Sequence, residues 1–213
     1  MTRDGSRFKA LLVEGVPGIG KSTLIDALIR RHIGSTAPRK IRTFVHLSQT
    51  YTYGPLAPAE DAGTLALADN LRLLEHIVGL LEWLNADLYY SDKQSFVLIE
   101  GLHLTHCLRP GVLTWEDAAD VDQRLAAAHC KLLLLRGTDE TIWSRAIQAR
   151  AGWEFLEYAR KFGRTDQELH AHFIAEQKRS DAMFAQSAMP KASIQNDGAL
   201  QDAVDYAYEF WHS

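Results

Sequence analysis

A glycine-rich segment near the amino terminus contains the residues with the clearest chemistry. It reads Gly15, Val16, Pro17, Gly18, Ile19, Gly20, Lys21, Ser22 and Thr23, which matches the pattern G-x-x-x-x-G-K-S. Glycines let a backbone turn its N–H groups inward around a phosphate, and a helix starting near Lys21 adds its positive dipole end. The Lys21 ammonium suits β- and γ-phosphates, and the Ser22 hydroxyl suits Mg²⁺. The nine residues therefore predict a site for a nucleoside triphosphate with Mg²⁺.

Glu100 is a second candidate for chemistry because it ends an apolar run of the chain. Ligands bind at the carboxyl ends of strands in open α/β sheets, so a charged residue at this position faces a site. We expect the Glu100 carboxylate either to hold Mg²⁺ through water or to act as general base toward an acceptor hydroxyl. A carboxylate that bonds only to neighbouring groups is the structural alternative.

The segment 144–164 is rich in cations. They are Arg145, Arg150, Arg160, Lys161 and Arg164. Cations beside a migrating phosphoryl group stabilise the charge that develops during its transfer, so we expect Arg145 and Arg150 to be catalytic. The alternative is a solvated helix face on which Glu157 and Lys161 pair one turn apart.

Three possible metal ligands, His103, His106 and Cys107, follow Glu100 closely. The sequence holds no second Cys/His group with zinc-like spacing that could complete such a site. Metal binding, the lining of an acceptor pocket and ordinary packing therefore all stay open for these side chains.

Five short apolar runs predict the strands that position these residues. They are Phe8–Glu14, Ile41–Leu47, Ser95–Glu100, Lys131–Leu135 and Ala192–Gln195. The third and fourth are continuously apolar, which is typical of strands covered on both faces in a parallel sheet. We expect all five strands to be buried.

Helical patterns lie between the predicted strands. Apolar residues at helical spacing indicate helices over Lys21–Arg31 and Thr64–Leu88, and a last helix is expected from Ala199 to Trp211. Helix starts are indicated at Thr114 with Asp117, at Thr138 and at Thr165 with Glu168, the last helix running to about Ser187. Strands that alternate with helices predict an α/β fold. The proline- and glycine-containing stretch Ser48–Gly63 is expected to be an irregular loop.

Composition limits the classes of protein. The chain has 213 residues, 46% of them hydrophobic and 23% charged, which excludes disordered, collagen-like and disulfide-scaffold proteins and favours one domain over residues 1–213. Lys and Arg total 23 against 27 for Asp and Glu, a formal net charge of −4. Duplex-binding proteins carry a basic surplus, so we expect no nucleic-acid partner.

The expected location is the cytoplasm. Cys107 and Cys130 are far apart in sequence, which favours reduced thiols over a disulfide framework. The first apolar run is interrupted by Lys9 and followed by Glu14, unlike a signal peptide. No stretch reaches the roughly 20 apolar residues of a membrane span, so no membrane partner is expected.

Two large groups of triphosphate-binding proteins fit poorly. Switch GTPases carry N-K-x-D after a late strand and D-x-x-G after the third, whereas this chain has Gln195-Asn196-Asp197-Gly198 and Ile99-Glu100-Gly101. ATPase motors need a longer chain and an Asp-Glu pair at the end of a strand. Neither group is favoured.

Several segments resemble the P-loop nucleoside and nucleotide kinases, the thymidylate and deoxynucleoside kinases. Leu12-Val13-Glu14-Gly15 followed by Gly20-Lys21-Ser22-Thr23 resembles their opening, and Glu100 matches their acidic residue after strand three. The segment from Gly137 to Arg145 resembles the start of the deoxynucleoside-kinase lid, and Trp153–Phe162 is similar to the segment after that lid.

This resemblance implies a three-layer sandwich with a five-stranded parallel sheet in the order 2-3-1-4-5, helices on both faces and an arginine-rich lid over about residues 144–164. It also implies ATP and Mg²⁺ as donor and cofactor, a small-molecule acceptor, and a homodimer formed through the helix Thr64–Leu88. Gly101 stands where those kinases have arginine, and no carboxylate follows strand two directly.

The acceptor therefore stays open. A (deoxy)nucleoside or nucleotide kinase is the first interpretation. The alternatives are a kinase of another hydroxyl compound, such as a metabolite or antibiotic, and a triphosphate-binding regulatory module without efficient transfer.

Overall fold

The computed structural model describes residues 8–35, 41–86, 94–109, 113–150 and 154–213. A five-stranded parallel sheet in the order β2-β3-β1-β4-β5 runs through the molecule, which confirms the predicted order. The strands are β1 (Phe8–Glu14), β2 (Ile41–Leu47), β3 (Gln94–Glu100), β4 (Cys130–Arg136) and β5 (Lys191–Gln195). Their bounds lie within one residue of the predicted ones, and the order is that of the P-loop α/β fold.

Ten α-helices occur among the described residues. They are α1 (Lys21–Ser35), α2 (Gln49–Thr52), α3 (Ala57–Asp61), α4 (Leu67–Ala86), α5 (His103–Leu108), α6 (Trp115–Ala127), α7 (Asp139–Ile142), α8 (Glu154–Ala159), α9 (Asp166–Gln186) and α10 (Leu200–His212). Both predicted capping boxes form, Thr114 with Asp117 and Thr165 with Glu168. Leu88, the predicted end of α4, and residues 151–153 of the predicted lid lie outside the described residues, and the single-domain assignment stays a prediction.

Alternating strand residues build one apolar core on each face of the sheet. Leu12 and Ile99 point into the core formed with α4, α5 and α6. Leu11 and Leu98 point into the opposite core, which α1, α9, α10 and residues of 142–147 and 155–159 complete. Because side chains alternate along a strand, strands β1, β3 and β4 must be apolar on both sides, as the sequence indicated for β3 and β4.

The prediction that all five strands are buried was wrong for the two edges. Residues of β5 alternate between half-buried and exposed, and the described side chains of β2 are half-buried. Each edge strand pairs with one neighbour only, so its outer side has no strand to cover it.

The prediction of an irregular loop over Ser48–Gly63 was also wrong. The stretch folds into α2, a 3₁₀ turn at Gly54–Leu56 and α3. Pro55 and Pro58 occupy the first turns of the 3₁₀ helix and of α3. Proline is well suited there because the N–H that it lacks has no partner inside the helix. The residues that suggested a loop instead start helices.

The carboxyl-terminal helix is bound tightly to the sheet. Trp211 of α10 is fully buried and donates from its indole nitrogen to the Lys9 carbonyl at 3.0 Å. Its ring contacts those of His32, Phe96 and His212. Burial lowers the pKa of His32, and burial aided by nearby cations lowers the pKa of His212 to about 4.

His106 is a third histidine that the fold keeps neutral. Burial lowers its pKa to about 4. Its Nε2 lies 2.7 Å from the Thr52 carbonyl, which can only accept, so this nitrogen carries the proton. Its Nδ1 lies 2.8 Å from Oδ1 of the Asn70 side chain.

No described helix is long and apolar enough to cross a membrane.

These histidines predict a loss of stability in mild acid. In the unfolded chain they bind protons near the ordinary histidine pKa of 6.5, whereas in the fold His106 and His212 resist protonation until about pH 4. The free energy of unfolding should therefore fall as the pH drops from about 6.5 to about 4. Urea unfolding at pH 7.5, 6 and 5 measures this slope.

The slope should flatten in His106→Gln and His212→Gln and stay unchanged in His76→Gln, which alters an exposed histidine of α4. An equally steep slope in all variants would contradict the assignment.

Candidate active site

The glycine-rich segment forms a tight loop between β1 and α1. Gly15 has a φ of 142°, and a Cβ there would lie 2.6 Å from the Leu135 carbonyl oxygen of β4. Gly18 has a φ of 82°, and a Cβ there would lie 2.7 Å from the Cα of Ala146. Both positions need glycine, for conformation and for space. The side chains of Val16 and Ile19 are buried in the core, so these residues can offer a ligand only their backbone.

Lys21 lies across this loop. Its ammonium donates to the carbonyls of Gly15 at 2.6 Å and Val16 at 3.2 Å. The side chain is only 6% exposed. Burial lowers the pKa of Lys21, and the nearby carboxylates Glu100, Glu14 and Glu176 oppose that shift. The lysine is thus held inside a negatively charged shell at the opening of the loop.

A cavity of about 650 Å³ opens at the carboxyl edge of the sheet above the loop. Its lining brings together most of the predicted site residues. These are Pro17, Gly18, Gly20, Lys21, Ser22, Thr23, Glu100, Arg145 and Arg150. The cavity continues to Asn196, Gly198 and Leu200, which follow β5.

Ser22 and Glu100 are brought together from distant parts of the sequence. The Ser22 hydroxyl donates to the Glu100 carboxylate at 2.6 Å. Magnesium prefers oxygen ligands, keeps several waters, and is usually bound through one or two protein groups plus phosphate oxygens. A hydroxyl and a carboxylate in contact at the phosphate loop fit that preference. The described residues contain no group of three His, Cys, Asp or Glu side chains that could hold a metal alone.

The cations of segment 144–164 divide into two sets. Arg145 and Arg150 line the cavity, and the Arg150 guanidinium lies 4.4 Å from the centre of the Phe155 ring. Burial lowers the pKa of Arg150, and Glu100 opposes that shift. Arg160 instead pairs with Asp166 at 2.6 Å. The first two arginines can reach phosphates, whereas Arg160 stabilises the start of α9.

Sequence reasoning missed Arg109, a third arginine of the cavity. It lies just after α5, in no recognisable motif. Sequence reasoning also missed the contact that Asn196 makes with the phosphate loop. The Asn196 side chain donates at 2.7 Å to the Ile19 carbonyl and so ties the phosphate loop to the end of β5.

Glu14 has a role that explains Gly101. The buried Glu14 carboxylate accepts from the Leu102 backbone at 2.7 Å and from the Thr105 hydroxyl at 2.6 Å. Gly101, which directly precedes Leu102, has a φ of 62°, and a Cβ there would lie 2.8 Å from the Thr105 hydroxyl oxygen. The turn after β3 therefore requires glycine at the position where the kinases that the sequence resembles carry arginine.

The three possible metal ligands after Glu100 do not converge. His103 bonds to Asp122 at 3.0 Å, and the Cys107 thiol donates to the Thr114 carbonyl at 3.3 Å. His106 bonds to Asn70 and Thr52. Each side chain is part of local packing, so the metal interpretation was wrong for the conformation described.

A hydrogen-bonded clasp joins α3 to α8 beside the cavity. Glu60 of α3 accepts from the hydroxyls of Tyr53 at 2.5 Å and Tyr158 at 2.9 Å, and from Lys161 at 2.8 Å. Burial raises the pKa of Glu60, but these three hydrogen bonds outweigh burial and keep it below its ordinary value. Arg109 lies against the Tyr53 ring, 4.7 Å from its centre, and donates to the Tyr158 hydroxyl at 3.2 Å.

Comparison with known proteins supports the fold. No protein-family model and no curated protein matches the sequence. A gluconokinase from Sinorhizobium meliloti 1021 is similar in structure, with a TM-score of 0.56 and 12% identity over 95% of this chain and 91% of that one. The YorR protein from Bacillus subtilis, in complex with phosphorylated GDP, gives a TM-score of 0.57 and 14% identity over 92% of each chain. A shikimate kinase from Acinetobacter baumannii, in complex with shikimate, gives a TM-score of 0.51 and 13% identity over 96% of this chain and 91% of that one. Identities this low show a shared fold alone.

The clasp predicts a local change when Glu60 is replaced. Glu60→Ala removes the acceptor of three hydrogen bonds, so amide exchange in α8 should accelerate by about 10-fold or more while exchange in β1 and β3 stays unchanged. Hydrogen–deuterium exchange with mass spectrometry measures both regions. Glu157→Ala, which alters an exposed acid of α8 itself, serves as the control. Equal exchange of α8 in the wild type and Glu60→Ala would show that the clasp contributes nothing to its order.

Proposed function

We propose that this protein is a small-molecule kinase that transfers the γ-phosphate of ATP to an acceptor bound beside the phosphate loop. The observation that carries the proposal is one cavity at which the phosphate loop, the Ser22–Glu100 pair and three arginines meet. The fold shared with a gluconokinase and a shikimate kinase supports it.

The residues divide the work of binding the donor. The backbone N–H groups of residues 15–23 and the amino end of α1 hold the phosphates, and Lys21 supplies a charge at the β- and γ-phosphates. Ser22 and Glu100 would hold Mg²⁺, which neutralises phosphate charge when bound. Arg145 and Arg150 lie where they can stabilise the migrating phosphoryl group.

The acceptor is the finer part of the proposal. The sequence resemblance favours a (deoxy)nucleoside or nucleotide, and the structural similarity to kinases named for gluconate and shikimate favours another hydroxyl compound. The arginine that thymidylate kinases place beside the acceptor is replaced by Gly101, which the turn after β3 requires. We therefore favour a hydroxyl acceptor over a phosphate acceptor. The homodimer and the cytoplasmic location stay predictions.

Replacement of Lys21 tests the phosphate site. Lys21→Ala should lower kcat for transfer from γ-labelled ATP by about 10²-fold or more, because a buried charge at the transferred phosphate is lost. Circular dichroism and thermal unfolding should still show a folded protein. Lys178→Ala, which removes an exposed lysine of α9, should behave as the wild type. Full transfer by a folded Lys21→Ala protein would refute the assignment of the loop.

Replacement of Arg145 separates an enzyme from a regulatory triphosphate-binding module. If Arg145 acts mainly in the transition state, Arg145→Ala should lower kcat by about 10²-fold or more and change the ATP dissociation constant much less. Single-turnover kinetics and calorimetric titration of ATP give the two numbers. Arg30→Ala, which alters α1, is the matched control. Equal losses in both quantities would favour a binding role.

A further inference from the structure

Glu176 is a buried acid of α9 that the donor site does not use. Its side chain is 4% exposed. One carboxylate oxygen lies 3.2 Å from Nε2 of His172, and the other, Oε2, is buried with no hydrogen-bond partner. A buried carboxylate oxygen without a donor costs free energy, so its presence calls for an explanation.

The surroundings of Glu176 point to the acceptor. The residue lines a small hollow of about 20 Å³ together with Pro17, Lys21, Thr105 and Arg109. Pro17, Lys21 and Arg109 also line the large cavity, so the hollow adjoins it at the phosphate loop. The hollow has room for about one small polar group such as a hydroxyl.

The hollow lies at one end of the donor site. The large cavity extends from Lys21 to Gly198 and Leu200 after β5, whereas the hollow extends from Lys21 to Glu176. In phosphoryl transfer the attacking and leaving oxygens stand roughly in line on opposite sides of the phosphorus. With the terminal phosphate of the donor at Lys21, a hydroxyl bound in the hollow lies beside the group to be transferred.

We propose that Glu176 is a catalytic residue that binds the attacking hydroxyl of the acceptor and takes its proton. This inference rests on the proposed kinase function. The O–H bond breaks as the oxygen uses its electron pair to form the new bond to the γ-phosphorus, and the proton moves to Oε2 of Glu176. The bond between the γ-phosphorus and the bridging oxygen breaks, and its electron pair leaves on ADP. The proton then passes to solvent when the products depart.

Glu100, the carboxylate that the sequence suggested for this task, is engaged elsewhere. It accepts a hydrogen bond from the Ser22 hydroxyl at 2.6 Å. Glu176 has the available oxygen. Two carboxylates near Lys21 thus take two roles: Glu100 acts toward the metal and Glu176 toward the acceptor.

The negative charge of Glu176 also determines which class of acceptor can bind in the hollow. Lys21 and Arg109 are the cations of the hollow, and Lys21 is occupied by the donor phosphates in the reaction. The positive charge of the remaining cation, Arg109, is matched by the negative charge of Glu176. A phosphate acceptor would bring further negative charge against a buried carboxylate, whereas an alcohol brings the donor that the carboxylate lacks. An alcohol is therefore the expected acceptor.

The experiment compares Glu176→Gln with the wild type. Transfer from γ-labelled ATP is measured to a panel of nucleosides, polyols, sugar acids and nucleoside monophosphates. On the best alcohol of the wild type, Glu176→Gln should lose about 10²-fold in kcat, with the KM for ATP within twofold. Glu176→Asp should retain part of the rate. Glu209→Gln, which alters an exposed acid of α10, should retain all of it.

The other possible outcomes test different parts of the proposal. An unchanged kcat in Glu176→Gln overturns the inference and leaves the kinase. Transfer to nucleoside monophosphates alone overturns the alcohol acceptor and also leaves the kinase. Absence of transfer by the wild type to any compound overturns the proposed function, and the inference with it. A fall in kcat of Glu176→Gln that follows a lowered melting temperature, and that disappears when both proteins are assayed well below it, would show that the carboxylate serves only the fold, which also overturns the inference.

Discussion

The buried ammonium of Lys21 is the constraint around which this end of the molecule is organised. A charged side chain removed from water is tolerated only among groups of opposite charge or hydrogen-bond acceptors. Here two loop carbonyls accept from it, and three buried carboxylates come from three different elements: Glu14 from β1, Glu100 from β3 and Glu176 from α9. Each carboxylate also has a second task. Glu14 fixes the turn after β3, Glu100 receives the Ser22 hydroxyl, and Glu176 faces the hollow beside the loop. The electrostatic balance of one lysine therefore connects the sheet, the loop and helix α9.

The parts of the structure that depend on local pattern were predictable from the sequence. The phosphate loop, the sheet strands and the capping boxes each depend on residues within about ten positions of one another, and the strand order came with the family resemblance. Sequence pattern could not place Arg109 or Glu176 at the site, since neither belongs to a motif. Glu176 lies 155 residues beyond Lys21, as the numbering shows, and only the packing of α9 brings the two together.

The errors have a common physical origin. Apolar runs were equated with burial, although β5 at the sheet edge has one neighbour and stays half-exposed. Pro55 and Pro58 were equated with loops, although proline is as well suited to the first turn of a helix. Cysteine and histidine neighbours in sequence were considered as metal ligands, but a helical turn directs His103 and Cys107 to different partners. In each case the residue type permits two structures, and long-range packing selects one.

The clasp at Glu60 has a consequence for how ligands influence one another. It joins α3, which follows β2, to α8, which follows Arg145 and Arg150 on the arginine-bearing segment. A compound that displaces α3 must therefore either move α8 with it or break these hydrogen bonds, and the reverse holds. Thermodynamic reciprocity applies to any such pair of ligands. If one ligand changes the affinity of the protein for a second by a given factor, the second changes its affinity for the first by the same factor. A single carboxylate thus joins two segments that are 98 residues apart in the sequence.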